Sequence, residues 1–386
     1  MSYLSTRAFS SFLSLGFAVL YSRQLGLTNR GYIAVVFTFS LLIISTTLGG
    51  TTLTLRKIGL KEISIIESKS FNFLILIEIL VGLSLFIFCL RIYSRFKLEI
   101  PPSLILGAII YFLCSATHYV ILEMILSTQQ LKTAGFAEVV TVLMQIVTYF
   151  LFWKLQLFSN SVSLLLTFAS SYFFVCVYFI YRANLGKVIA FGFANPNRFF
   201  SMSKHHHVFG IALSMIDRID RVLVVILFSP VVISQYATMS GILSIFRFLP
   251  DALGKISLSG TRIHLSRSRF NILFSILLIV LSISTLIYLT RWFIALTLGG
   301  DWLLPMTSFI FFCFYELSRG GFQVTANRLM KSGDQEVSHK SSMRLFFLVP
   351  TILLFSVPTF GLDGVPLALA FSYLLILLAI KVKKIA

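Results

Sequence analysis

The sequence predicts an all-α polytopic membrane protein with about 12 transmembrane helices, arranged as two parallel six-helix lobes. Hydrophobic residues make up 57% of the chain and charged residues only 12%, and the mean hydropathy is +0.93. Apolar runs of about 20 residues, the length that crosses the hydrocarbon core of a bilayer as a helix, recur from end to end. This composition excludes a water-soluble protein built around one core.

Six apolar windows fill the first half of the chain, each bounded by Arg, Lys, Gly, Pro or Asn, which favour membrane surfaces and turns. The first window ends at Arg23 and lacks the small-residue cleavage pattern of a signal peptide, so we expect it to be retained as a helix. The windows predict helices near residues 8–22, 31–53, 70–90, 103–127, 134–154 and 162–181.

Six further windows follow a polar interval, and the two halves resemble repeats because Tyr32 and Tyr236 each open a helix after a short polar hairpin. Since six is even, both halves enter the membrane from the same side, with a substrate site expected between them. The second set of windows predicts helices near residues 206–228, 232–250, 270–290, 303–326, 343–360 and 364–381. The predicted domains are an N-terminal lobe over 1–182, a cytoplasmic linker over 183–204 and a C-terminal lobe over 205–386.

The distribution of Lys and Arg predicts the orientation of these helices. With the N-terminus inside, 22 of the 32 basic residues lie on the cytoplasmic side, 7 lie outside and 3 lie within helices. The positive-inside rule therefore places both termini in the cytoplasm. The net charge of +18 follows from this topology and from attraction to anionic lipid, so nucleic-acid binding is not predicted. The four cysteines lie in apolar segments without paired spacing, and no metal or cofactor is predicted.

Several short motifs, in order along most of the chain, carry a resemblance to a known family. They include SRQLGLTNRGY from Ser22, paired glycines at 49 and 50, Asp-Arg in the seventh helix, Gly-Asp-Trp from Gly300 and GLDGVPLALA from Gly361. This series resembles the Wzx-type polysaccharide flippases of the multidrug/oligosaccharidyl-lipid/polysaccharide transporter superfamily. The chain departs from the family at Leu27-Thr28, where Pro-Glu is usual, and at Pro366, where alanine is common.

The resemblance implies a MATE-like fold and a transporter rather than an enzyme. A polyprenyl-pyrophosphate-linked oligosaccharide would pass from the cytoplasmic to the outer leaflet by alternating access, for surface or exopolysaccharide biosynthesis. The expected location is the bacterial cytoplasmic (inner) membrane. The expected partners are the lipid-linked glycan, the lipid bilayer and other membrane proteins of polysaccharide assembly, and the expected transport unit is a monomer.

The stretch MIDRIDR, residues 215–221, places four charges in the predicted seventh helix, about 15 Å from its cytoplasmic end and near the bilayer midplane. A charge in lipid costs several kcal/mol unless it pairs or faces a cavity. Asp217 and Arg221 are four positions apart with the acid first, the favourable order for a helical ion pair. Either the cluster only neutralises itself, or Arg218 or Arg221 faces a cavity and binds an anionic headgroup.

Arginines are the candidate ligands for a pyrophosphate, because the guanidinium group binds phosphate oxygens at two points. The candidate substrate-binding residues are Arg23, Arg56, Arg218, Arg221 and Arg319. Ionisable groups inside the membrane are candidates for coupling or for structural ion pairs, and Glu316 with Arg319 is one predicted pair. The candidates of this second kind are Asp217, Asp220, Glu316, Glu78 and His118.

Two other functions are considered. A cation-coupled multidrug antiporter of the same superfamily shares the helix plan but typically relies on a carboxylate in the first helix, and residues 8–22 contain no acid. A membrane enzyme such as a glycan polymerase or ligase usually carries catalytic side chains in a large outer loop. The longest predicted outer connection is short, and no triad or paired-carboxylate site fits within it.

Overall fold

Helices form nearly all of the described structure, a computed structural model that covers residues 3–58, 65–96, 100–127, 130–155, 160–182, 211–212, 214–216, 218–243, 287–331 and 335–383. Within these ranges there is no β-strand. The all-α polytopic fold class predicted from composition is confirmed. The helices are α1 (Tyr3–Ile58), α2 (Ile65–Phe96), α3 (Pro102–Ser127), α4 (Leu131–Leu155), α5 (Asn160–Arg182), α6 (Ile219–Leu227), α7 (Pro230–Leu243), α8 (Met306–Lys331), α9 (Gln335–Phe360) and α10 (Gly364–Lys383).

The described helices are long and apolar enough to cross a bilayer in six stretches. Two of these stretches, Ala8–Thr52 with 45 residues and Lys340–Ile380 with 41, each have the length of two crossings. The first holds the two crossings predicted at 8–22 and 31–53, which meet at Gly26. There φ is 70° and ψ is 172°, a combination that glycine alone adopts without strain.

The chain forms two compact units, Met1–Pro230 and Val231–Ala386. In the first unit α1 contacts α2, α3, α4 and α5, α3 packs along α5, and the start of α6 reaches α1. The lobe boundary at 183–204 stays a prediction, because those residues lie outside the described ranges. Most residues of the helix predicted at 270–290 also lie outside the described ranges. The described part starts with a helical segment at 287–297.

In the second unit α10 packs against both α8 and α9. A tight connection, the 3-10 helix Gly361–Asp363, joins α9 to α10, and Gly361 has a φ of 57°. The Asp363 carboxylate accepts hydrogen bonds from the hydroxyls of Thr307 and Ser308 in the first turn of α8. The GLDG motif therefore holds the ends of three helices together.

The predicted seventh helix, 206–228, is wrong as one unbroken helix. Arg218 has a φ of −126° and a ψ of −7° and is the N-cap of α6. Its N–H donates to Met215 O at 3.2 Å, a three-residue turn in place of the α-helical bond. An interrupted helix within a membrane requires protein or water around the backbone groups that lose their helical hydrogen bonds. Here α1 and α3 lie beside the interruption.

Candidate functional site

The start of α6 holds charged side chains near the middle of the predicted seventh crossing. From Arg218 to the end of the helix at Leu227 is about 14 Å, close to half of the hydrocarbon thickness of a bilayer. Asp220 lies in the first turn and is only 2% exposed. The partial positive charge of a helix N-terminus favours a carboxylate at that position. Asp217 lies outside the described residues, so its predicted pairing with Arg221 stays a prediction.

Arg218 and Arg221 are both partly buried beside this turn. The Nε atom of Arg221 is buried and has no hydrogen-bond partner among the described residues. Arg218 interacts electrostatically with Tyr111 on α3. The preceding Ser214 donates its hydroxyl to Ser45 O on α1 at 3.1 Å. The charged stretch therefore faces the interior of the first unit.

An aromatic cluster formed by α1, α3, α4 and α5 lies in that interior. Tyr111 lies 4.9 Å from Phe37 between ring centroids, and Phe37 lies 5.0 Å from Phe168. The Tyr172 side chain also interacts with those of Tyr111 and Gln145. The members of the aromatic cluster are Phe17, Tyr21, Phe37, Tyr111, His118, Tyr149, Phe168 and Tyr172.

His118 belongs to this cluster rather than to a charge pair among the described residues. Its ring stacks on Tyr172 at 4.6 Å with an interplanar angle of 28°. Its Nε2 lies 3.2 Å from the hydroxyl oxygen of Thr141. Because the Thr141 hydroxyl itself donates to Ala137 O, its oxygen accepts from His118, which places the proton of the neutral ring on Nε2.

Glu78 joins two helices within the first unit. The Thr51 hydroxyl on α1 donates to Glu78 Oε1 on α2 at 2.6 Å, and the glutamate is 9% exposed. A hydroxyl donor at this distance lowers the cost of holding a carboxyl group in the membrane. The sequence predicted that Glu78 serves in coupling or in a structural pair, and the contact with Thr51 supplies a structural partner.

The two arginines on either side of the kink at Gly26 differ in environment. Arg23, a predicted substrate ligand, is exposed. Arg30, which sequence reasoning counted only as an outer-side charge, is 6% exposed. Its Nε donates to Ser22 Oγ at 3.3 Å, and its guanidinium lies 5.1 Å from the Tyr21 ring centroid. Its Nη1 is buried and has no hydrogen-bond partner among the described residues.

The second unit contains a buried ion pair on α8. Arg319 Nη1 lies 3.9 Å from Glu316 Oε1, and the two side chains are 6% and 1% exposed. The Arg319 guanidinium also lies 5.9 Å from the Tyr315 ring centroid. A buried pair is costly to desolvate, and losing either partner leaves the other charge stranded. The side chain of Arg56, at the end of α1, lies outside the described part of the structure.

The structure thus brings the predicted residues together in two separate groups. One group lies at the start of α6, where Arg218, Asp220 and Arg221 face the aromatic cluster that contains His118. The other group is the ion pair of Glu316 and Arg319. The first group combines cationic donors for an anion with aromatic and amide side chains that suit hydroxylated rings. No cluster of potential metal ligands occurs within the described ranges.

Comparison with known proteins identifies the fold. No family model matches the chain, and no curated protein matches its sequence. A mutant of the Vibrio cholerae MATE transporter VcmN matches with a TM-score of 0.64 at 12% identity, over 98% of this chain and 94% of that one. The lipid II flippase MurJ, in an inward closed conformation, matches with a TM-score of 0.61 at 15% identity, over 99% and 87%.

A third solved structure, the inward-facing conformation of a multidrug resistance MATE family transporter of the MOP superfamily, matches with a TM-score of 0.60 at 13% identity. The match covers 98% of this chain and 93% of that one. At such low identities the likeness establishes the fold. The chain is a multi-pass membrane protein with the helical fold of the MATE transporters and MurJ.

Proposed function

On this fold we propose a flippase that moves a polyprenyl-pyrophosphate-linked oligosaccharide from the cytoplasmic to the outer leaflet of a bacterial inner membrane. The fold occurs both in multidrug transporters and in a flippase for a lipid-linked substrate. The choice between the two depends on the membrane-embedded groups of this chain. These groups suit an anionic, sugar-bearing substrate better than an organic cation.

The observation that carries the proposal is the helix break at Arg218. The first N–H groups of a helix lack intrahelical acceptors and carry partial positive charge, so they favour an anion. In membrane transporters, interrupted helices direct such ends towards anionic substrate groups. Here Arg218 caps the helix and Arg221 lies in its first turn, while Asp220 offsets one of the two positive charges. A pyrophosphate that approaches the helix end neutralises the remaining positive charge.

The aromatic cluster supplies the second part of a glycolipid site. Phe37, Phe168, Tyr172 and His118 are only partly buried, and so is Gln24 beside the kink of α1. Aromatic faces pack against the apolar faces of sugar rings, and amide, phenol and imidazole groups exchange hydrogen bonds with sugar hydroxyls. Such a lining holds a neutral glycan without requiring a fixed charge.

The alternative is a cation-coupled multidrug antiporter. A cation site in the membrane requires an acid that is available to the substrate or the coupling ion. Residues 8–22 contain none, and the buried Glu78 is engaged by Thr51. The membrane potential, negative inside, further favours outward movement of a pyrophosphate by about 2.3 kcal/mol per charge per 100 mV.

A gene deletion tests the proposed function. With the glycosyltransferases intact, the deletion should leave lipid-linked repeat units on the cytoplasmic leaflet and remove the surface polymer. Complementation with the wild-type chain should restore the polymer. An unchanged surface glycan together with increased sensitivity to cationic drugs supports the antiporter instead.

Complementation with point variants locates the site. Arg218→Lys should restore little polymer, because the lysine ammonium cannot replace the planar guanidinium, which donates two parallel hydrogen bonds to a phosphate. Arg182→Lys is the matched control, since Arg182 is exposed at the end of α5. Full polymer with Arg218→Lys at normal membrane levels removes Arg218 from the substrate site.

A further inference from the structure

A small cavity lies between α9 and α10 in the second unit, and none of its lining residues belongs to the groups considered above. Its volume is about 220 Å³. This admits a phosphate group with its glycerol stem but not an oligosaccharide. The lining combines basic and hydroxyl side chains of α9 with apolar side chains of α10. The main lining residues are Lys340, Ser341, Arg344, Ile376, Ala379 and Ile380.

The cavity lies where the apolar stretch meets water. The membrane-crossing stretch of this helix pair begins at Lys340 and ends at Ile380, and both residues line the cavity. The distribution of basic residues predicts this side of the membrane to be cytoplasmic. Ala379 is exposed, so the apolar wall is accessible from the lipid, whereas Ile376 and Ile380 are each 6% exposed.

The charges around the cavity leave one arginine available. Lys340 forms an ion pair with Glu336, which also lines the cavity. Arg344 is exposed and has no acidic partner among the described residues. The Ser341 hydroxyl donates to Val337 O at 2.7 Å, which leaves its oxygen as an acceptor only. The hydrogen-bond donors at the rim of the cavity therefore belong to basic side chains. The Arg344 guanidinium can donate two parallel hydrogen bonds to one phosphate group.

We propose that this cavity binds the phosphate of an anionic phospholipid from the surrounding leaflet, with Arg344 as its ligand. Ile376, Ala379 and Ile380 form an apolar wall for the upper part of an acyl chain. Basic pockets between helices on the cytoplasmic side recognise anionic headgroups in this way. The site shares no residue with the proposed flippase site, and it recognises a resident lipid rather than the transported one.

Native mass spectrometry of the full-length, detergent-purified protein tests the site. The probes are phosphatidylglycerol, phosphatidylcholine, polyprenyl phosphate and inorganic phosphate, each added at the same concentration. We expect the protein to retain phosphatidylglycerol in preference to phosphatidylcholine. Arg344→Gln should lower retention about fivefold, the contribution of one basic side chain near an anionic surface. Arg182→Gln, which removes a cytoplasmic-side arginine elsewhere, should leave retention unchanged.

Other outcomes overturn the proposal. Equal retention of phosphatidylglycerol by Arg344→Gln and wild type removes Arg344 as the ligand. Displacement of the lipid by inorganic phosphate indicates a free-anion site, and stronger binding of polyprenyl phosphate assigns the cavity to the carrier lipid. If Arg344→Gln does not fold, Ala379→Trp provides the test, because it fills the wall without changing charge. Unchanged phosphatidylglycerol retention by Ala379→Trp contradicts the site.

Discussion

At the level of single residues, Asp220 shows how a carboxylate is held inside the bilayer. It is buried in the first turn of α6, between two arginines in the sequence, where the helix N-terminus adds further positive charge. The carboxylate therefore neutralises its surroundings as well as being stabilised by them. Removing it leaves the arginines with less compensation in a medium of low dielectric constant.

Asp220→Ala should therefore destabilise the protein. Stranding a buried charge by removing its compensating partner costs about 3 kcal/mol or more. The measurement is the thermal unfolding of the detergent-purified protein, together with its level in the membrane. Asp301→Ala is the control, because Asp301 is exposed and such a change alters stability by about 0.5 kcal/mol or less. Equal melting of Asp220→Ala and wild type contradicts this account of the carboxylate.

The pair on α8 separates a structural role from a substrate-binding role for Arg319. Glu316→Met and Arg319→Met should each lower stability by about 3 kcal/mol, and the double variant should recover most of that loss. The stability cycle is measured by thermal unfolding and the transport by complementation. A stable double variant that transports shows that Arg319 serves only the ion pair. A stable double variant without transport supports Arg319 as a substrate ligand.

Some of these side-chain arrangements follow from the sequence and others do not. Glu316 and Arg319 are three positions apart in an apolar helix, and that spacing alone predicts their contact. Arg30 has no such signal, because its neighbours Tyr21 and Ser22 reach it only through the non-helical turn at Gly26. In the linear sequence it is indistinguishable from the exposed Arg23.

At the level of helices, the close approach of α1 to Pro230 illustrates a constraint that hydropathy does not reveal. A Cβ atom on Gly31 would lie 2.3 Å from Pro230 O and 2.8 Å from Pro230 C, both backbone atoms. No side chain can move aside to make room. The second half of α1 therefore meets the first residue of α7 through a glycine.

Gly31→Ala should push Pro230 away from α1 and destabilise the first unit by about 1–3 kcal/mol, the usual cost of overpacking. Thermal unfolding in detergent measures the loss. Gly241→Ala is the matched control, since a Cβ there meets nothing within 4 Å and the residue lies in α7 itself. Its melting temperature should equal that of the wild type or exceed it, because alanine favours the helix. A wild-type melting temperature for Gly31→Ala is incompatible with the close contact.

Hydrophobic windows predicted the described helices well, because each crossing needs a long apolar run bounded by polar residues. The windows 103–127 and 364–381, for example, correspond to Pro102–Ser127 and Gly364–Lys383. The break at Arg218 was missed for a physical reason. Asp217 and Arg221 have the spacing of a helical pair, and a window average responds to side-chain polarity rather than to backbone angles.

At the level of the whole molecule, the orientation in the membrane follows from charge alone. The asymmetry of 22 against 7 basic residues predicts that both termini lie in the cytoplasm. The side of the membrane is set by the basic loops. Orientation therefore remains a prediction of the sequence.

Phosphatase fusions test this orientation. Fusions after Lys97, Lys154 and Asp301 should be active, because these residues are predicted to lie outside. Fusions after Lys61, Lys204 and Lys340 should be silent. Activity of the Lys204 fusion contradicts the arrangement of six crossings before the linker and six after it.

Proteoliposomes measure whether the chain flips a pyrophosphate-linked glycolipid. The vesicles contain the purified protein and a polyprenyl-pyrophosphate oligosaccharide with a fluorescent label on the sugar, and an impermeant quencher is added outside under an imposed membrane potential. Without flipping, the quencher removes only the fluorescence of the outer leaflet, about half of the total. Wild-type protein should carry labelled lipid from the inner leaflet to the quencher, so that the fluorescence falls below that half. Arg218→Lys should leave that half protected. Wild-type vesicles that keep half of the signal while transporting a cationic dye contradict the claim.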